Sequence, residues 1–321
     1  MKLFTGILLY SFCIPAYALD VFFVHSYHHA YPWVDEYYDT FKDKLETDSL
    51  EEYQMDTKRI PQDEFQARAD EAINLILQKK PHVVVVADDN ALRLVGKPAL
   101  DHGFQVVFLG INGNPRLVIP ITSNLAGVLE RPLLKRSVVE LARVVPRLKK
   151  VLILMDDGPT TTAIIDTSFN SKTSQKVAGT EVNIKRLKHF SDWKKEILQS
   201  KHNGYDIILL ASYAKLLDEK NQAIELDIVS RWSSKHSELP IFACWRYSIG
   251  KDMVAGGLVL SGNDQGKNSA EIVNYFLRHQ QFPNPSIITP KQGRYLFSKT
   301  QVDRWNLKLP TDIEKHVEWI E

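Results

Sequence analysis

The run Val83-Val84-Val85-Val86-Ala87 constrains the fold most, because it is apolar throughout and passes directly into Asp88-Asp89-Asn90. A helical pattern of apolar residues follows at once. An apolar strand that ends in polar residues before a helix is typical of an open parallel α/β sheet, which binds ligands at the carboxyl edge of its strands. The same arrangement recurs at residues 19–24, 151–155 and 206–211. The sequence therefore predicts the α/β fold class.

Strand and helix patterns alternate along the chain, which indicates right-handed βαβ units and mainly parallel sheets. The first half predicts strands at 20–25, 51–57, 82–87, 105–110 and 125–129, with helices at 32–47, 62–79, 90–102 and 133–145. After Lys149 the pattern restarts, with strands at 150–155, 180–187, 205–211 and 239–243 and helices at 160–176, 190–202 and 213–236. Two such sets predict two Rossmann-like lobes, each with a parallel central sheet.

The last part of the chain departs from this alternation. It predicts a strand at 254–260, a helix at 264–279 and short strands at 287–289 and 294–297. These segments are expected to cross between lobes and to form a multi-strand hinge. The predicted division is residues 19–130 plus about 254–290 for the first lobe, and 131–253 plus about 291–321 for the second lobe and C-terminal segment.

Residues 1–18 have the pattern of a cleaved export signal. Lys2 is followed by a short apolar stretch and then by Ala16-Tyr17-Ala18, a small-x-small cleavage site. We expect cleavage after Ala18 and a periplasmic, soluble product. Lipid anchoring through Cys13 is the alternative, but the bulky Phe12 before it is unlike a lipoprotein signal.

Charge and cysteine content exclude several classes of protein. Lys2 is the only charged residue of the signal, so its removal takes the formal charge from +1 to zero. A neutral chain has no global field that attracts nucleic acid or an anionic membrane. Cys244 is the one cysteine outside the signal, which rules out an intramolecular disulfide. We expect a monomer that neither binds nucleic acid nor inserts into a membrane.

The order and spacing of several motifs resemble a known family. They are His25-Ser26-Tyr27-His28-x-x-Tyr31-Pro32-Trp33, Asp88-Asp89-Asn90-Ala91, Val107-Phe108-x-Gly110-x-Asn112-Gly113, Asn124-x-x-Gly127-Val128, and Gly256-Gly257 followed by Gly262-x-x-x-Gly266. Together they resemble the substrate-binding proteins of ABC transporters grouped with the tryptophan- and tyrosine-type binders. The resemblance implies the periplasmic type I binding fold, with two lobes, three crossovers and a ligand enclosed between the lobes. It also implies binding rather than catalysis.

One departure from this family concerns Asp88 and Asp89. Relatives that hold amino acids tend to place small hydroxyl residues or glycine there, so that helix amides receive the ligand carboxylate. An acidic corner instead favours an amine, a hydroxyl-rich ligand or an altered pose. The alternative for each aspartate is a helix cap that accepts backbone N–H groups. Asn90 and Asn112, in the turns after two strands, are expected to join the ligand-binding set.

The loop from His25 to Trp33 concentrates aromatic rings and polar tips. Ser26, Tyr27, Tyr31 and Trp33 are candidate ligand contacts, because such rings provide large contact areas for a flat or sugar-like molecule. The alternative for the rings is packing of the first helix on the sheet. No carboxylate or cysteine within this segment completes a metal ligand set, so no metal or other cofactor is predicted.

Further candidates lie near the predicted hinge and in the second lobe. Arg131 has the chemistry to pair with a ligand carboxylate, although a surface pair with Glu130 or a role at the start of the next helix is an equal alternative. Asp156, Thr160, Thr161, Tyr213 and Trp245 follow strands of the second lobe, where they are candidates either for ligand contacts or for caps and core residues.

The resulting hypothesis is a solute-binding protein that captures a small polar or aromatic ligand, amino-acid-like or bearing an amine or hydroxyl, for an ABC importer. A sensory binding protein that presents the ligand to a membrane receptor is the alternative. A hydrolase with its active site in the cleft is the third reading, but no G-x-S-x-G elbow or phosphate-binding loop supports it, and no catalytic residue is assigned.

Overall fold

A computed structural model describes residues 20–290 and 293–321. The predicted signal, its cleavage point after Ala18 and Cys13 lie outside the described residues. Within the described part of the chain, no helix is both long enough and apolar enough to cross a bilayer.

The described strands are, in chain order, β1 (Val21–His25), β2 (Leu50–Gln54), β3 (Val83–Ala87), β4 (Gln105–Ile111), β5 (Leu125–Leu129), β6 (Lys150–Asp156), β7 (Ser174–Val177), β8 (Thr180–Leu187), β9 (Ile207–Leu210), β10 (Ile241–Ala243), β11 (Gly256–Val259), β12 (Ile287–Ile288), β13 (Arg294–Ser298) and β14 (Val317–Ile320).

The described α-helices are α1 (Pro32–Lys44), α2 (Phe65–Lys79), α3 (Asp88–Ala91), α4 (Lys97–Asp101), α5 (Leu134–Val144), α6 (Pro159–Phe169), α7 (Phe190–Gln199), α8 (Leu226–His236), α9 (Gly262–His279), α10 (Lys299–Arg304) and α11 (Thr311–Glu314). A π-helical segment, Leu92–Gly96, joins α3 to α4, and short 3₁₀ turns lie at Gln62–Glu64, Pro115–Leu117 and Arg246–Ser248.

Two separate sheets confirm the predicted two-lobed α/β architecture. The first lobe has the strand order β12-β5-β4-β3-β1-β2, and all of these pairs are parallel. The second lobe has the order β10-β9-β6-β8-β7, parallel except for the β7–β8 pair. The central strands β1, β3 and β6 read as continuous apolar runs because helices cover both faces of a parallel sheet.

Two segments of the second lobe differ from the sequence prediction. The helix expected at 160–176 ends at Phe169, because Asn170 adopts a left-handed conformation, and β7 then forms a hairpin with β8. The helix expected at 213–236 begins only at Leu226. In the loop before it, one Asp218 carboxylate oxygen accepts hydrogen bonds from the backbone N–H groups of Lys220 and Gln222. This turn competes with the helix.

A third sheet, in the order β11-β13-β14, lies beside the second lobe. The backbone N–H of Ala255 donates to the Ile241 carbonyl, and that of Leu260 donates to the Cys244 carbonyl. Helix α9 returns to the first lobe, where it packs closely on α1: a Cβ at Gly266 would lie 2.0 Å from the Tyr37 carbonyl oxygen. The division of the chain into lobes, with a boundary expected near residue 254, stays a prediction.

Candidate functional site

A cavity lies between the two lobes, where the carboxyl edges of both parallel sheets face each other. Its volume is about 30 Å³, room for about two water molecules. The lining residues come from both lobes: Tyr27, Tyr31, Trp33, Lys58, Asp88, Asn112, Glu130, Thr160, Ser212, Trp245 and Tyr247. We call this space the central cavity. Two wider openings of about 540 and 730 Å³ flank it, and Lys58 borders all three spaces.

Aromatic rings form the walls of the central cavity. Trp33 of the first lobe and Trp245 of the second are in edge-to-face contact, with ring centroids 5.4 Å apart. Trp245 also lies parallel to Tyr247, with centroids 6.3 Å apart. Tyr27 and Tyr31 contact each other edge to face at 5.5 Å. These rings offer both faces and edges to a flat ligand.

Asp88 is the most unusual residue of the cavity. It follows β3 with a φ of +67°, in the left-handed region that non-glycine residues rarely occupy and that clusters at functional sites. The indole N–H of Trp33 donates to its Oδ1 at 3.2 Å, while Oδ2 is buried without a partner among the described residues. Burial raises the pKa of the Asp88 carboxyl well above its usual range; nearby Lys58 opposes this shift and Asp89 adds to it.

Three more buried polar atoms of the cavity lining lack a partner within the described chain. They are Glu130 Oε2, Asn112 Oδ1 and the indole Nε1 of Trp245. Burial, and then repulsion from Asp88 and Asp89, raises the pKa of the Glu130 carboxyl well above its ordinary value. Buried polar groups are normally hydrogen-bonded, so a cluster of unpaired ones indicates a place for a ligand or water.

Lys58 supplies the cationic group of the site. Its Nζ lies 4.5 Å from the centre of the Tyr27 ring and 5.3 Å from that of Tyr31. Burial lowers the pKa of the Lys58 ammonium group, and the carboxylates of Asp156, Asp88 and Glu130 oppose that shift. Our sequence reasoning missed Lys58, although its position just after β2 satisfied the carboxyl-edge criterion used elsewhere.

Asp89, Asn90 and Ser26, which the sequence suggested as ligand contacts, bond to the protein itself. The Asp89 carboxylate accepts the backbone N–H groups of Asn112 and Gly113 at 3.1 and 2.9 Å. The Asn90 amide donates to the Thr57 hydroxyl at 3.0 Å. The Ser26 hydroxyl donates to the Ala87 carbonyl and accepts the Ala91 N–H, which caps the start of α3. These residues hold the walls of the cavity in place.

Arg131 is similarly bonded to the main chain. Its Nη1 donates to the carbonyls of Ile111, Asn112 and Glu130 at 2.6 to 2.9 Å, and its Nη2 donates to that of Gly113 at 3.0 Å. These bonds hold the turn after β4 against the segment between β5 and α5. They direct the guanidinium group to carbonyls instead of a ligand carboxylate.

In the second lobe, the structure separates cavity residues from supporting ones. The Asp156 carboxylate accepts four hydrogen bonds, from the hydroxyls of Thr161 and Ser212 and from the backbone N–H groups of Gly158 and Lys215. Tyr213 is fully buried, with its hydroxyl 2.6 Å from that of Ser248. Thr160 and Trp245, in contrast, line the central cavity, and both were candidates from the sequence. Ser212 and Tyr247 of the second lobe also line it.

The two lobes are held together beside the cavity by Lys215. Its ammonium group donates across the interface to the carbonyls of Thr57 and Lys58, each at 3.1 Å. The contact between Trp33 and Trp245 spans the same interface. The lobes therefore touch beside the central cavity, while the two larger spaces between them stay open.

A cluster with metal-ligand chemistry lies at the base of the loop that runs from His25 to Trp33. His25, His29 and Glu52 each offer one ligand atom, and the three atoms lie within 4.8 Å of one another. Burial alone would raise the pKa of Glu52, but hydrogen bonds from His25, Tyr38 and His29 outweigh it and lower the pKa to about 2. The carboxylate that was absent from the His25–Trp33 loop is supplied by the neighbouring strand β2.

Comparison with known proteins defines the class of fold. An ABC domain from Streptococcus pneumoniae in complex with L-Trp matches with a TM-score of 0.65 and 14% identity, over 94% of this chain and 100% of the other. A ligand-free, open substrate-binding protein with adhesive properties from Clostridium difficile matches with a TM-score of 0.65 and 12% identity, over 94% and 99%. A periplasmic ribose ABC transporter protein from Conexibacter woesei matches with a TM-score of 0.56 and 11% identity, over 90% and 95%.

These structural matches establish that the chain has the type I periplasmic binding fold, as the resemblance implied. No protein-family model matches the sequence, and no curated protein does.

Proposed function

We propose that this protein is an extracytoplasmic solute-binding protein that encloses a small amine-bearing ligand between its lobes for an ABC importer. One observation carries the proposal: buried polar atoms without partners, contributed by both lobes, line the same cavity. Leaving such atoms unpaired costs about 1 to 3 kcal/mol each. A ligand that bonds to them recovers this energy and so favours the closed arrangement.

The donors and acceptors of the cavity favour a particular ligand chemistry. Asp88 Oδ2, Glu130 Oε2 and Asn112 Oδ1 are acceptors, and a primary ammonium group has three N–H donors to offer them. The Trp245 indole N–H and the Lys58 ammonium are donors that suit a carboxylate or hydroxyl oxygen. An amino acid, or an amine that carries a hydroxyl group, has both kinds of group.

The aromatic walls favour a ligand with a flat or apolar body. The L-Trp complex of the Streptococcus pneumoniae domain shows that a protein of this fold holds an indole and an amino-acid backbone together. In the present chain we infer that the ammonium group of the ligand binds between the carboxylates of Asp88 and Glu130. The central cavity and the two larger spaces that Lys58 also borders together provide room between the lobes for a ligand of amino-acid size.

An ABC importer has to distinguish the open form of its binding protein from the closed form. Closure of the two lobes about the segments that connect them provides this difference. We propose export through the signal at residues 1–18, with function in the periplasm as a monomer. The Ser26 hydroxyl, considered for the hydrolase alternative, bonds to the main chain at Ala87 and Ala91, and the Ser212 hydroxyl, which lines the cavity, donates to the Asp156 carboxylate; we propose binding rather than hydrolysis.

Native mass spectrometry of protein purified without refolding tests the proposal, followed by calorimetric titration with the captured compound. We expect a retained small molecule that contains an amine and binds one per chain. Asp88→Asn should weaken its binding at least about tenfold, while Asp101→Asn should not. Asp101 is a suitable control because its carboxylate is exposed and pairs with Lys97, away from the spaces between the lobes. Equal affinity of both variants, or a captured ligand without an amine, would contradict the proposal.

A further inference from the structure

The His25, His29 and Glu52 side chains converge at the outer edge of the first sheet. His25 Nε2 lies 3.1 Å from Glu52 Oε2, and His29 Nε2 lies 3.1 Å from both carboxylate oxygens. Ligands at 2.0 to 2.1 Å from a tetrahedral zinc ion are about 3.4 Å apart. The two imidazoles and the carboxylate therefore stand close to the spacing that a shared zinc ion requires.

The atoms around these three groups orient them toward a common point. The Tyr37 hydroxyl lies 2.9 Å from His25 Nδ1, which leaves Nε2 as the nitrogen that faces Glu52. His25 Nδ1 thus has the hydrogen-bond partner on its second nitrogen that metal-binding histidines almost always have. Asp35 Oδ1 lies 3.6 Å from His29 Nδ1, an ion-pair neighbour beyond hydrogen-bond distance. His28 is not part of the cluster, since its Nδ1 faces Asp56 at 3.1 Å.

We propose that His25, His29 and Glu52 bind one zinc ion at the base of the loop that carries the aromatic residues of the central cavity. Two imidazoles and one carboxylate are a protein ligand set that zinc accepts, with water in the fourth position. The Glu52 and His29 side chains are 34% and 38% exposed, so an ion and its water can reach the buried His25 nitrogen.

The position of the ion suggests what it does. His25 ends β1, His29 lies four residues further along the loop, and Glu52 belongs to β2. The ion thus ties the start of the loop to the edge strand, and the same loop contributes Tyr27 and Tyr31 to the cavity. Zinc is expected to stabilise the loop conformation and the folded protein. This proposal does not depend on the identity of the ligand in the cleft.

The test uses untagged protein stripped with a chelator and titrated with zinc against a metal indicator. We expect one zinc ion per chain and a rise in melting temperature on zinc addition. His29→Ala and Glu52→Gln are the variants of choice, because both side chains are partly exposed and neither belongs to the core. Each should raise the zinc dissociation constant at least about tenfold and abolish the thermal shift.

His82→Ala is the matched control, since His82 is an exposed histidine that pairs with Asp20 at 3.1 Å elsewhere on the surface. It should bind zinc like the wild-type protein. Wild-type zinc affinity in either cluster variant, or equal loss in the control, would overturn the proposal. So would the absence of stoichiometric binding by the wild-type chain. In crystals grown with zinc, anomalous scattering should place the ion between His25 and His29.

Discussion

Trp33 and Trp245 belong to different lobes, yet their rings meet edge to face at a centroid distance of 5.4 Å and an interplanar angle of 71°. Both residues are buried, at 5% exposure each. The indole N–H of Trp33 is bonded to Asp88, whereas that of Trp245 has no partner among the described residues. One ring of the pair is thus fixed by the protein, and the other retains a free donor for a ligand.

Replacing Trp245 tests the role of this pair. Trp245→Phe should keep the aromatic contact but lose the N–H donor, which we expect to weaken ligand binding by about 1 kcal/mol. Trp245→Ala should cost a further 0.5 to 1.5 kcal/mol or so, because stacking is also lost. Calorimetric titration measures both, and Trp319→Phe, at an exposed position of β14, is the control. A lower melting temperature of Trp245→Phe together with unchanged affinity would make the ring structural.

Asp88→Asn is expected to change stability and affinity in opposite directions. Burial raises the pKa of the Asp88 carboxyl, so its charged form is unfavourable in the ligand-free fold. Asparagine removes the charge, keeps an oxygen for Trp33 and tolerates the left-handed backbone. The ligand-free variant should be more stable than the wild-type protein at neutral pH, while it binds an amine ligand more weakly by about 1.5 to 3 kcal/mol. Chemical denaturation and titration on one preparation measure both, and lower stability with unchanged affinity would refute the assignment.

Ligand binding should release protons. The folded-state pKa values of Asp88 and Glu130 are raised above those of the unfolded chain, so the stability they confer is full below about pH 4 and is lost as the pH rises through the folded-state values. An ammonium ligand favours the ionised carboxylates and lowers these pKa values. Affinity should therefore fall on acidification, and the binding enthalpy should depend on the ionisation enthalpy of the buffer in the sense of proton release. Proton uptake would contradict a cationic head group in this corner.

Arg131 should contribute to the stability of the fold rather than to ligand binding. Arg131→Ala removes the side-chain donor from four backbone carbonyls, of which that of Ile111 keeps the N–H of Glu130, and we expect this to cost about 2 to 4 kcal/mol of unfolding free energy. Arg131→Lys should recover part of this loss, because an ammonium group cannot match the planar fork of the guanidinium. The affinity of the folded fraction should change less than about threefold. A large loss of affinity at unchanged stability would restore the ligand-binding role that the sequence suggested.

The sequence predicted the fold well because parallel strands that are buried on both faces must be apolar throughout. The strand β3 and the polar residues after it show this directly. Helix ends were less predictable: the turn around Asp218 depends on side-chain bonds to the backbone, which no periodicity reveals.

The site was only partly predictable, because position at a carboxyl edge does not say which way a side chain points. Asp88 lines the cavity, whereas its neighbour Asp89 bonds to the turn at Gly113. The zinc cluster depends on the register of β1 against β2, which pairs Phe23 with Glu52. That register brings Glu52 to His25 from 27 residues away, and the local segment gives no sign of it.

A crystal structure of the protein with the compound that it captures would test the central claim most directly. We expect the ligand to lie between Trp33 and Trp245, with its amine nitrogen within hydrogen-bond distance of Asp88 and Glu130 and an acceptor atom next to the Trp245 indole N–H. A ligand bound outside the cleft, or one whose carboxylate occupies the corner at Asp88 while Glu130 stays unpaired, would contradict the account.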